Sequence, residues 1–109
     1  MNVVVDTNVF VSSVFGGLPR RVVELWFDGR ITLCLSEPIV QEYRRVLREI
    51  GAVSAAEERA LIEAFASGDG VLYVNDPPAI EGASSDPDDD KFLACALEFG
   101  AECVVSGDA

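Results

Sequence analysis

Short β-branched runs alternate with helix-patterned stretches along the whole of this 109-residue chain. Asn2 to Val5 is the first run, and Asp6-Thr7-Asn8 ends it. Val9, Phe10, Val11, Val14 and Phe15 then read as a short helix that Gly16-Gly17 stops. Pro19 suits the first turn of a second helix, which carries Val22, Val23, Leu25, Trp26 and Phe27 and ends at Gly29. Ile31 to Leu35 is the second strand. Ser36 caps a third helix with Glu37 and Pro38 in its first turn. Ile39, Tyr43, Val46, Leu47 and Ile50 form its apolar stripe, and Gly51 closes it. Ser54 and Glu57 have capping-box spacing for a fourth helix, with Leu61, Ile62 and Phe65 on its buried face and Gly68 at its end. Val71 to Val74 is the third strand, and Asn75 to Pro87 is a proline-rich loop. A fifth helix begins within Asp86 to Asp90 and runs to Gly100, and Cys103 to Val105 is the fourth strand.

Strands separated by helices require right-handed crossovers and a parallel sheet. The expected fold is therefore α/β: one domain over residues 1–109, a three-layer sandwich with about four central strands flanked by helices. In open sheets of this kind, ligands bind outside the carboxyl ends of the strands. Asp6 and Asp108 each follow a strand, so the topology alone brings two distant carboxylates to one edge.

Composition narrows the chemistry that edge can host. Nineteen acids against eight Lys and Arg give a net charge of −11, and there is no histidine. Ser-His-Asp and Cys-His catalysis and His-ligated metal sites are excluded. A broadly basic nucleic-acid surface is not indicated either. Cys34, Cys95 and Cys103 are odd in number and form no C-x-x-C, so they read as reduced, mostly buried thiols of a cytoplasmic protein. No apolar run approaches the roughly 20 residues of a membrane span, and the N-terminus has no secretory pattern.

The acids themselves are ordinary one at a time. Asp6 is a good turn or cap residue, Glu42 lies at the border of an apolar helical stripe, and Asp108 is a turn aspartate. Asp86, Asp88, Asp89 and Asp90 favour a helix start. Four acids within five residues exceed what capping needs, and Asp89 shares a helix face with Phe92 and Leu93, with Asp90 its close rival. Acids from distant segments at one edge repel unless something positive lies between them. Lys91 is the only lysine and is not expected to help, and the arginines cluster at Arg20, Arg21 and at Arg44, Arg45, Arg48. Hard oxygen donors without imidazole or thiolate select Mg²⁺ or Mn²⁺, which can acidify a bound water and clamp a phosphodiester.

Three stretches together resemble the PIN-domain nucleases, in particular the toxin components of toxin–antitoxin pairs. They are VVVDTNVFVSS (3–13), LSEPIVQEYRRVL (35–47) and SDPDDDKFLACALEFGAECVVSGDA (85–109). They cover almost half the chain in the family's order, and the D-P-D-D-D-K-F-L helix start followed by V-V-S-G-D is the specific part. The resemblance implies a metal-dependent endoribonuclease with a four-acid site: Asp6, Glu42, Asp89 and Asp108, holding Mg²⁺ or Mn²⁺. Asp86 and Asp90 are supporting acids, and Asn8 and Ser106 match polar positions of the family's pocket. It also implies an RNA substrate, an antitoxin partner and a homodimer. Family members usually continue with another helix and strand, so the chain reads as a C-terminally truncated domain.

Other readings remain at this stage. Haloacid-dehalogenase-type phosphatases also place an Asp after strand one, but they need D-x-D, and the third position here is Asn8. A phospho-receiver domain matches only weakly at Asn75-Asp76-Pro77. An inactive interaction module would use the apolar N-terminal helices, where Phe10, Val14, Phe15, Trp26 and Phe27 exceed what a short helical pair hides.

Overall fold

In the computed structural model of the protein, residues 1–51, 53–75 and 90–105 are described. Four strands, β1 (Asn2–Val5), β2 (Thr32–Ser36), β3 (Val71–Val74) and β4 (Cys103–Val105), form a parallel sheet in the order β3-β2-β1-β4. The described helices are α1 (Thr7–Ser12), α2 (Leu18–Phe27), α3 (Glu37–Ile50), α4 (Ala55–Ala66) and α5 (Asp90–Phe99). A 3-10 turn at Ser13–Phe15 extends α1. Right-handed crossovers place α1 to α4 on one face of the sheet and α5 on the other. The direction of winding reverses between β1 and β4, and that reversal opens a crevice at their carboxyl ends.

Burial agrees with this layering. Successive strand residues point to opposite faces, yet Val3, Val4 and Val5 of β1 and Leu33, Cys34 and Leu35 of β2 are all buried. The two central strands are therefore covered on both sides. The edge strands are less covered, with Tyr73 of β3 and Val104 of β4 exposed.

One aromatic cluster fills the layer under α1 to α4. Phe10 stacks on Tyr43 at 4.2 Å between centroids, and Phe65 tilts against both. Trp26 meets Phe65 at 5.7 Å. Gly70 makes room for that indole: a Cβ there would lie 3.1 Å from the ring, on backbone at φ +67° that disfavours any other residue.

The local signals read from the sequence act as expected. Ser36 caps α3 through Ile39 N–H, Gly51 ends it in the left-handed conformation, and Ser54 with Glu57 forms a complete capping box. Some details differ. The second strand runs from Thr32 to Ser36, one residue later than expected, whereas α2 begins at Leu18 with Pro19 in its first turn, as expected. Ile50, the last residue of α3, is half exposed and so leaves the apolar stripe. Cys103 is exposed, unlike Cys34 and Cys95. Among the described residues, no helix is long and apolar enough to cross a membrane.

Candidate active site

The carboxyl end of β1 is where the topology expects a ligand, and Asp6 is the first residue beyond it. Its N–H donates to the Val105 carbonyl at 2.9 Å, continuing the register of β1 with β4. Its carboxylate accepts from the Asn8 backbone N–H at 2.7 Å and so caps α1. That bond fixes one oxygen of the carboxylate. The Asn8 side chain is exposed nearby.

Glu42 comes to the same edge from α3. The Thr7 hydroxyl donates to its Oε2, and Lys91 Nζ lies 2.6 Å from its Oε1. Both of its oxygens are thus held, one by the residue after Asp6 and the other by the residue after Asp90. The side chains of Lys91 and Glu42 are only 21% and 17% exposed, so solvent screens the pair poorly. Expecting Lys91 to give no help among the acids was therefore wrong: the start of α5 carries its ammonium across to α3.

Tyr43 lies directly beneath this network. Its hydroxyl donates to the Val5 carbonyl, one residue before Asp6, and ties α3 to the end of β1. Burial pushes the phenol well above its ordinary range, and Cys95, Asp6 and Glu42 push it further in the same direction.

At the start of α5, Asp90 is half-buried, and its Oδ1 is buried with no hydrogen-bond partner. A carboxylate oxygen without a donor is costly, and a hard cation is the donor-free partner that suits it. The donor chemistry at this edge suits a hard divalent ion: carboxylates follow β1 at Asp6, lie on α3 at Glu42 and start α5 at Asp90. The proposed acids Asp86, Asp89 and Asp108, and the polar Ser106, lie outside the described residues. Among the described residues, no three His, Cys, Asp or Glu side chains converge closely enough to hold a metal.

Reasoning from sequence missed Thr7, Tyr43 and Lys91. Thr7 is adjacent to Asp6 in the motif, so its place was visible but its contact was not. Three of the clustered arginines are engaged within the protein. Arg44 and Arg48 both bind Glu58, and Arg45 pairs with Glu49 at 3.0 Å. Arg20 and Arg21 are exposed on α2.

Residues 2–109 match the family model of the PIN domain. The chain belongs to the PIN-domain family. Neither the comparison with curated proteins nor that with solved structures gave a match. The PIN fold is a nuclease-type fold, and PIN domains generally use divalent metals and act on nucleic acid. Membership also removes the phosphatase and phospho-receiver readings. The element order of this PIN domain matches the resemblance drawn from its sequence, with Asp6 and Glu42 at one sheet edge.

Proposed function

We propose that this PIN domain is a metal-dependent endoribonuclease and the toxin component of a toxin–antitoxin pair. Its catalytic acids are Asp6, Glu42, Asp89 and Asp108, with Asp86 and Asp90 as further acids near the metal and Asn8 and Ser106 as polar lining. One observation carries this reading. The link Asp6–Thr7–Glu42–Lys91–Asp90 joins β1, α3 and α5 at the sheet edge where such folds bind ligands. Core packing does not require an acid from each of three elements at that place.

Asp6, Asp89, Asp108 and Glu42 would hold Mg²⁺ or Mn²⁺. Such an ion offsets phosphate charge and makes water a competent nucleophile at neutral pH. Asp6 is preset for the task by its cap bond, which fixes the carboxylate before substrate arrives. Thr7 and Lys91 orient Glu42, and Tyr43 fixes α3 against β1 so that Asp6 and Glu42 keep their spacing. RNA must approach a protein of net charge −11, so docking depends on this local site and not on the overall field.

The partner half of the reading rests on a different surface. Phe15, Leu18 and Phe27 are 73%, 79% and 64% exposed around α2, an apolar area suited to an antitoxin or a second copy of the chain. The same area favours one competing reading, an inactive module that only binds partners. RNA cleavage separates the two. The wild-type protein should cut single-stranded RNA with Mg²⁺ or Mn²⁺ and stop on chelation. Cleavage that survives Asp6→Asn combined with Glu42→Gln would refute the assignment.

A further inference from the structure

We infer that Lys91 is a tethered counter-cation of the acid site, which a divalent metal has to outcompete. The inference rests on the metal-dependent reading above. Lys91 Nζ lies 2.6 Å from Glu42 Oε1 while the Thr7 hydroxyl occupies Oε2, so this chain's own donors hold both carboxylate oxygens. No other cation serves this edge among the described residues: Arg44 and Arg48 are committed to Glu58, and Arg45 to Glu49. Lys91 is also the only lysine in the chain.

Its position gives the ammonium two effects. It follows Asp90, whose Oδ1 is buried without a partner, so the helix start that brings acid to the edge also brings the charge that balances it. Without metal, Lys91 offsets the repulsion among Asp6, Glu42 and Asp90 and ties α5 to α3. With metal, the same positive charge opposes the incoming ion and competes with it for Glu42. Lys91 is therefore a positioning residue: it acts through Glu42 and sets how tightly the site takes its cation.

The test is a Mn²⁺ titration, followed by the loss of the free-ion electron paramagnetic resonance signal. It compares wild type, Lys91→Met, Lys91→Arg and the double variant Lys91→Met/Glu42→Gln. Urea unfolding of the same proteins without metal runs beside it. Lys91→Met should bind Mn²⁺ on the order of tenfold more tightly, the scale of one unit charge acting on a divalent ion in a water-like dielectric. Lys91→Arg should stay near wild type, and the double variant should lose most of the gain. Without metal, Lys91→Met should unfold at lower urea, and adding Glu42→Gln should restore part of the loss, because position 42 then no longer carries a carboxylate stripped of its ammonium.

A merely structural lysine would leave affinity unchanged or weaken it, so either result with a wild type that binds Mn²⁺ overturns the inference and leaves the nuclease reading standing. Binding by Lys91→Met but not by wild type supports it. Should neither protein bind, the metal-dependent reading falls. The metal-free unfolding then decides the counter-cation role: coupled losses at Lys91 and Glu42 support it, and additive losses overturn it. Lys91→Gln, polar and neutral, replaces the methionine variant if that fails to fold.

Discussion

Glu42 and Glu58 are both glutamates with two engaged oxygens, and they differ in what surrounds them. Glu58 of α4 is gripped by Arg44 and Arg48 of α3, at 3.0 Å from Arg44 Nε and 2.9 Å from Arg48 Nη2. Its two positive charges exceed its own negative one. Glu42 has a single ammonium, that of Lys91, and the residue before that lysine is Asp90, whose Oδ1 is buried without a partner. Glu58 is therefore an over-compensated clamp between two helices. Glu42 lies near the carboxyl edge of the sheet with one cation to balance it, and the proposed function takes the remaining negative charge there as what draws a metal. The comparison teaches that two acids with equally engaged oxygens can differ in charge balance, and the proposed function assigns them different roles on that difference.

This contrast can be broken most sharply at the level of activity. Asp6→Asn should lower RNA cleavage by about 10²–10³-fold, the scale of removing one preorganised charged group from a site. Glu58→Gln should leave the rate within about twofold while the protein stays folded. Equal losses from the two substitutions, measured as initial rates, would erase the distinction.

Removing the support beneath the site comes next in size. Tyr43→Phe deletes a buried hydroxyl and leaves the Val5 carbonyl without its donor, which should cost about 1–3 kcal/mol in urea unfolding. It should also loosen α3 against β1 and lower activity at temperatures where the fold persists.

A smaller effect distinguishes Glu58 by pH. The Arg48 hydrogen bond, then that of Arg44, holds the Glu58 carboxyl below its ordinary 4.5. The unfolded chain therefore takes up this proton first as pH falls. The contribution of Glu58 is complete above about 4.5 and is lost as pH drops through the lower folded value. In unfolding curves measured across that range, Glu58→Gln should be less stable than wild type at neutral pH and the gap should close in acid. A gap independent of pH would show that the clamp acts through packing alone.

The smallest effect belongs to Arg45 and Glu49, an exposed i,i+4 pair on the same helix as Glu42. Glu49→Ala should change stability by no more than about 0.5 kcal/mol. A larger cost would mean that charge on α3 is coupled more widely than the comparison allows.

Much of the fold could be read from residue pattern, because its signals are local. Ser36, Gly51 and the Ser54–Glu57 pair mark helix ends through contacts within a few residues. The β-branched runs are long enough to locate all four strands to within about one residue. Ile50 fits the apolar period of α3 yet is exposed, since periodicity cannot say how far along a helix its neighbours cover it.

The site was legible only in part. Asp6 and Glu42 stand out by motif and by border position, and the topology brings them together. The contacts of Glu42 were hidden: Thr7 reaches it across 35 positions and Lys91 across 49, and no local rule foretells either. The partner of Arg44 and Arg48 is equally hidden in the sequence, because α4 brings Glu58 to them from 14 and 10 positions away.

The central claim is that the acids at the carboxyl edge of the sheet form a metal-dependent nuclease centre. Cleavage of a labelled single-stranded RNA by purified protein, with Mn²⁺ and then with excess chelator, tests it most directly when wild type is run beside Asp6→Asn. The account predicts cleavage by wild type that needs the metal and falls by at least about 100-fold in the variant. Cleavage unaffected by the chelator, or equal in the two proteins, would contradict it.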